Sequence, residues 1–166
     1  LIQDAKITID LNGFTIKSAE YLDECILIME YAISLTLKGG TLEQIRLYVN
    51  GKSTFQLENM DIFGCGYIGI NVKGDTTGLY VYNSVIRDCS LAPIGIVAEY
   101  GQFVFVDCVL KDSLFGGYFE NNGMAELAFY FCTFGQEESN TWYFVEDIIT
   151  EDCNFEEITE YPEYGY

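Results

Sequence analysis

Histidine is absent from this chain of 166 residues. That absence excludes Ser–His and Cys–His nucleophiles, imidazole acid–base chemistry and histidine metal ligands. Proline is nearly absent too, at 2 residues, while glycine is plentiful at 16. No Cys-x-x-Cys pair occurs, which removes zinc-ribbon and thioredoxin-type motifs. There is no Asn-x-Ser/Thr sequon. No run approaches the roughly 18 apolar residues of a membrane helix. Positive charge is the remaining shortage: 8 Lys and Arg face 26 Asp and Glu, a net charge of −18. Such a surface opposes nucleic acid, anionic membrane or a polyanionic polysaccharide unless a cation mediates. The chain begins without Met and alternates at once over Ile2-Gln3-Asp4-Ala5-Lys6-Ile7-Thr8-Ile9, so it reads as a mature or trimmed product.

What is present is a repeat. Hydrophobic residues make up 49% of the chain and aromatics 16%, enough for a core without disulfides or metal. Stepping by 24 from Ile7 gives Tyr31, Phe55, Leu79, Phe103 and Leu127, all apolar. Stepping from Ile9 gives Ile33, Leu57, Val81, Phe105 and Phe129. A third column runs Phe14, Lys38, Ile62, Ile86, Leu110, Phe134, broken only by Lys38. A last turn shorter by three adds Ile148 to the first column and Phe155 to the third.

Spacing inside each unit has the period of a strand. Inward parity is odd at Phe103 and Phe105 but even at Cys108 and Leu110, so the chain must bend between them. The bend column reads Asn59, Asn83, Asp107, residue types that tolerate left-handed backbone. A third stretch carries Ile70/Val72, Ile94/Ile96, Tyr118, then Trp142/Phe144. Three strands and three turns per unit predict an all-β fold: a single-stranded parallel β-helix, or β-solenoid, of about seven coils of 24 residues. One domain over residues 1–166 is expected, with 161–166 a short C-terminal tail.

Ile7-Thr-Ile-Asp-Leu-Asn-Gly-Phe-Thr-Ile16, Val81-Tyr-Asn-Ser-Val-Ile-Arg-Asp-Cys89 and Phe105-Val-Asp-Cys-Val-Leu-Lys-Asp112 resemble coils of the right-handed parallel β-helix, or pectate-lyase-like, superfamily. The resemblance covers nearly the whole chain and implies a right-handed solenoid. It implies little about function, because that fold hosts lyases, hydrolases, esterases and purely structural proteins.

Six cysteines fall mostly on the same lattice. Cys108, Cys132 and, after the deletion, Cys153 share a column with Asn12, Thr36, Met60 and Ser84. Cys65 and Cys89 share another with Ser113, and Cys25 stands alone. They read either as a ladder of small core fillers or as disulfides between coils. A bond through Cys25 and Cys153, near opposite ends, would staple subunits together.

Charge is distributed unevenly: residues 1–111 hold 13 acids and all 8 bases, and residues 112–166 hold 13 acids and no base. An edge with Lys6, Lys17 and Lys38 could then meet one rich in Glu146, Asp147, Glu151, Asp152, Glu156 and Glu157. Open solenoid edges template strand pairing. The expected function is therefore a structural, self-assembling extracellular or cell-surface protein, stacking head to tail as a homopolymer into a filament, sheath or surface layer. Ile7, Ile9, Phe14, Ile148 and Phe155 are its candidate edge residues. The alternative is a carbohydrate-binding or carbohydrate-cleaving β-helix with a polysaccharide partner. Its nearest constellation is Arg87-Asp88 stacked on Lys111-Asp112 with Asp61 nearby, and outward Tyr80, Tyr82 and Tyr130 could stack on sugars. No catalytic residue is assigned and no cofactor is required. A divalent cation such as Ca²⁺ would find only Asp61, Asp88 and Asp112 as weak ligands.

Overall fold

The computed structural model describes residues 6–19, 26–29, 34–50, 52–74, 78–113, 117–135, 142–144 and 148–155. Cys25, Tyr31, Ile33, the 161–166 tail and the acids Glu146, Asp147, Glu156 and Glu157 lie outside them. Every regular element described is a strand. In chain order they begin β1 (Lys6–Asp10), β2 (Thr15–Lys17), β3 (Ile26–Met29), β4 (Ser34–Glu43) and β5 (Arg46–Asn50). There follow β6 (Thr54–Phe63), β7 (Ile68–Lys73), β8 (Gly78–Tyr82), β9 (Val85–Arg87) and β10 (Ala92–Val106). The series closes with β11 (Val109–Lys111), β12 (Gly117–Tyr130), β13 (Thr133–Gly135), β14 (Trp142–Phe144), β15 (Ile148–Glu151) and β16 (Asn154–Phe155). No described helix is long and apolar enough to cross a membrane.

All strand pairs are parallel, and each strand pairs with its equivalent one coil away, so the chain forms a parallel β-solenoid with three faces. On the first face Ile7, Leu35, Phe55, Leu79, Phe103, Leu127 and Ile148 lie in register. On the second face the ladder is Ile16, Leu42, Ile62, Ile86, Leu110, Phe134 and the backbone of Phe155. From Leu35 to Leu127 on the first face and from Leu42 to Phe134 on the second, the inward side chains are almost wholly buried, and Phe105 stacks on Phe129 with centroids 5.0 Å apart. Tyr80, Tyr82 and Tyr130 occupy the alternate positions and are half-buried.

The repeat is less uniform than a constant step of 24 requires. Ile7 pairs with Leu35, a step of 28, and Leu35 pairs with Phe55, a step of 20. The four extra residues and the four missing ones cancel, so the period re-enters phase at Phe55. Leu35 and Leu37 therefore hold the positions expected of Tyr31 and Ile33. The third column is corrected in the same way. Ile16 and Leu42, not Phe14 and Lys38, occupy it. Phe14 lies outside β2 in a turn, 73% exposed. Lys38 faces outward and pairs with Asp10 at 3.3 Å. Similarly Gly40, not Thr36, stands in register with Met60. A side chain at Gly40 would collide with Leu11, 2.4 Å from its Cβ position. The third face (β3, β5, β7, β10, β12, β14) carries five steps, so about five turns close on all three faces rather than seven.

One further shift lies on the third face. Ile96 pairs with Phe119, a step of 23, so Phe119 fills the core and Tyr118 turns outward. A bulge between Ala98 and Tyr100 restores the lost residue. The Asn121 side chain stitches it, accepting from the Gly123 and Ala125 N–H groups at 3.0 and 3.1 Å. Only glycine fits at 123, because a Cβ there would stand 2.5 Å from the Glu99 carbonyl oxygen.

The corners explain the Asn and Asp columns. Gly39, Asn59, Asn83, Asp107, Phe131 and Asp152 all take left-handed φ between 47° and 66° at the first corner. Gln44, Gly64, Asp88 and Asp112 do so at the second, with φ of 52° to 70°. Phe131 is the misfit: a bulky residue at φ 55°, its ring 56% exposed. Phe131→Asn should raise stability by about 1 kcal/mol, measured by urea denaturation, because Asn visits this region at lower cost. An unchanged or lower midpoint would mean that the Phe131 ring makes a compensating contact.

Candidate functional sites: a charged corner, two thiol ladders and an open edge

The charged constellation assembles as expected, but its geometry is that of a neutralised turn. Arg87, at the end of β9, sends Nε and one terminal nitrogen to the two Asp61 carboxylate oxygens at 3.2 and 3.0 Å. Its other terminal nitrogen donates to Asp88 at 2.5 Å, and the guanidinium lies 4.4 Å from the centre of the Phe63 ring. Asp61, foremost through its hydrogen bond, raises the pKa of Arg87 above the ordinary guanidinium value. A base that abstracts a proton needs the opposite shift. One coil on, Lys111 pairs with Asp112 at 3.1 Å. Asp88 and Asp112 are there because the second corner requires left-handed backbone, and each meets the cation just before it in sequence. The three carboxylates proposed as weak cation ligands are thus engaged by Arg87 and Lys111. Among the described residues, no three carboxylates or thiols are arranged to hold a metal ion.

The thiol ladders belong to the same corners. Each of the five described cysteines follows a left-handed residue. Cys108 donates to the carbonyls of Val106 at 3.3 Å and Val81 at 3.4 Å; Cys132 does so to Tyr130 at 3.4 Å and Phe105 at 3.5 Å. Cys153 repeats the pattern with Glu151 and Phe129, both at 3.5 Å. At the equivalent place in the preceding coil, Ser84 donates to the Tyr82 carbonyl at 2.8 Å and accepts from the Met60 N–H at 3.1 Å. In the second ladder, Cys89 contacts the Arg87 carbonyl, and Ser113 donates to that of Lys111. At these positions cysteine and serine are interchangeable because both lock the turn by reaching the carbonyl two residues back; Cys65 instead donates to the Ile45 carbonyl at 3.3 Å. Cys65, Cys89, Cys108 and Cys132 are buried, Cys153 is half-buried, and all five are free thiols. Contact with its ladder neighbour first, and burial second, push the Cys89 and Cys132 thiols well up; burial alone leads at Cys153.

The third feature is an open edge. β1 and β2 pair only with β4, so among the described residues their other side carries no strand. Ile7, Ile9 and Ile16 are 37%, 40% and 43% exposed, whereas Leu35, Leu37 and Leu42, one rung inward, are 7%, 2% and 2% exposed. At the other end, again among the described residues, β15 pairs only with β12, and Ile149, Thr150, Glu151 and Asp152 are exposed. The expected charge match between the two edges is weaker than composition suggests. Lys17 is already paired with Glu43 and Lys38 with Asp10.

A feature not foreseen from the sequence is a groove of about 570 Å³ on the outer surface of the third face, beside Tyr67 and Tyr118. It depends on the one-residue step that turns Tyr118 outward, which a fixed period of 24 conceals. No family model, no curated protein and no solved structure matches this chain.

Alkylation with iodoacetamide at pH 8, mapped by mass spectrometry, should modify Cys153 first among these five. Cys65, Cys89, Cys108 and Cys132 should react only after unfolding, because all four are buried out of reach of the reagent whereas Cys153 is half-buried. Rapid labelling of Cys108 or Cys132 in the folded protein would contradict the closed ladder.

Proposed function

We propose that the chain is a structural, self-assembling protein whose solenoids stack edge to edge into a filament, sheath or surface layer outside the cell. It would be a non-enzymatic member of the right-handed β-helix group. The observation that carries this reading is the open first coil: Ile7, Ile9 and Ile16 continue the buried ladders outward but end in solvent. A second copy presenting its last coil would cover them and satisfy the unpaired strand edge. Burying these three side chains fully is worth on the order of 3 kcal/mol. Each new backbone hydrogen bond adds about 1 kcal/mol. Against this stands an association cost of about 4–15 kcal/mol. A single junction is then weak, and assembly depends on concentration and on conditions.

Ionic strength is the clearest of those conditions. Subunits of net charge −18 repel, and that repulsion is screened beyond about 8 Å at physiological salt. Ca²⁺ between acidic rims would act in the same direction. The cleaving alternative rests on Arg87, and the ion pairs that keep its guanidinium charged count against it.

Negative-stain microscopy of the wild-type protein should reveal end-to-end polymers that lengthen when NaCl is raised from about 10 to 150 mM, as screening predicts. Ile9→Lys and Ile16→Lys, both at exposed positions, should abolish the polymers while circular dichroism stays unchanged. Polymers that persist in both variants would sink edge stacking. So would a wild-type protein that stays monomeric at every salt concentration.

A further inference from the structure

We propose that the groove on the third face is a binding site for a neutral pyranose of a saccharide. It lies on the side of the solenoid, away from the axial edges, and does not depend on assembly. Its shape comes from one missing side chain. Asn71, Gly95 and Tyr118 stand in outward register on three successive coils. With no side chain on the middle rung, Asn71 and Tyr118 face each other across a gap of about 9–10 Å, two strand spacings. The floor is apolar. The Ile68 side chain lies over Gly95, its Cδ1 2.8 Å from where a Cβ would be. Tyr67, just past the second corner, is 50% exposed and supplies a second ring.

The polar groups stand at the rim. Lys73, Val97 and Glu120 form the adjacent outward row. Tyr118 Oη donates to Glu120 Oε2 at 2.5 Å, which fixes the edge of the ring. This hydrogen bond also holds the Glu120 carboxyl below the usual carboxylate range. The groove thus offers two aromatic rings, an apolar floor, donors on Asn71 and Lys73 and an acceptor on Asn71, with the Glu120 carboxylate standing outside the lining and engaged by Tyr118.

That combination fits a sugar ring. A pyranose presents an apolar C–H face, which packs on aromatic rings, and a perimeter of hydroxyls that both donate and accept. The volume of about 570 Å³ falls within the usual range of roughly 300–1,000 Å³ for small-ligand sites. Charge selects a neutral ring over a uronate. Lys73 is the single cation among the lining residues, Glu120 stands in the same row, and the protein as a whole is strongly acidic.

The test is saturation-transfer NMR and calorimetric titration of the intact chain with glucose, galactose, N-acetylglucosamine, lactose and maltose. Galacturonate is the charged comparison. At least one neutral sugar should bind, with transfer strongest at its ring protons, and galacturonate should bind more weakly. Tyr118→Ala and Gly95→Val should each weaken binding tenfold or more. Tyr67→Ala, at an exposed corner that leaves the core untouched, should do so too and guards against misfolding of the other two. Tyr118→Phe keeps the ring and should stay within about threefold of wild type, as stacking rather than the hydroxyl carries the contact. Tyr82→Ala, on the first face, should change nothing. The proposal fails if no neutral sugar binds at about 50 mM, a loose upper bound for a site of this size. It fails equally if Tyr67→Ala and Tyr118→Ala bind as wild type does, or if galacturonate binds best.

Discussion

Everything in this molecule depends on one requirement: each coil must bring the chain back in register with the one before it, so that parallel backbone hydrogen bonds continue. Neighbouring strands lie about 4.8 Å apart, and a slip of one residue exchanges core for solvent along a whole strand. Register is enforced at the corners. A left-handed residue turns the chain, and its own N–H bonds to the next coil: Asn83 to Val106 and Asp107 to Tyr130 at 3.0 Å, Phe131 to Glu151 at 2.9 Å. The residue that follows accepts the return bond, as Ser84 does from Val109 and Cys108 from Thr133. Its hydroxyl or thiol then locks the turn from inside. Each corner is therefore a three-part device, and its parts recur at the coil period because they have one geometric task.

This explains what could be read from the sequence. From Phe55 to Leu127 the step on the first face is a constant 24, so apolar ladders and corner residues appear as plain columns. The first two coils are illegible for a physical reason. An insertion and a deletion of equal length leave the overall period intact while displacing the coil between them. Tyr31, Ile33 and Lys38 look like members of three columns whose places belong to Leu35, Leu37 and Leu42. The one signal in the sequence was Lys38 itself, a charge where a core residue was needed. Tyr118 was hidden differently. Phe119 beside it is equally apolar, so hydrophobicity alone could not choose which of the two faces the core.

The chemical constellations show the opposite effect, structure mistaken for chemistry. Asp88, Asp112 and the cysteine columns stand out because they are rare types at a fixed spacing. The spacing is that of the corners. Aspartate is there for its backbone, and cysteine for a small, soft side chain that can reach a carbonyl. Arg87 and Lys111 then offset carboxylates that the corner had already placed. In a solenoid, periodic recurrence of polar residues is weak evidence for a site, because the fold itself generates it. Evidence for a site lies where the period is broken.

Two breaks stand out, and they lie in different directions. The first coil breaks the ladder along the axis, leaving Ile7, Ile9 and Ile16 with no further rung among the described residues. The step of 23 together with Gly95 breaks it sideways, leaving a gap in the outer wall. Axial stacking would cover the first break and leave the second untouched, so a polymer would present one groove per subunit. Seven rungs run from β1 to β15 on the first face. Successive grooves in a stack would thus lie no closer than about 34 Å, at one strand spacing per rung. A weak site repeated on a rigid rod at such intervals can hold a long saccharide far more tightly than one groove holds one ring, provided the saccharide can span the interval. Edge stacking and a modest lateral groove are then complementary, and the low affinity expected of each half-open groove is no obstacle to its use.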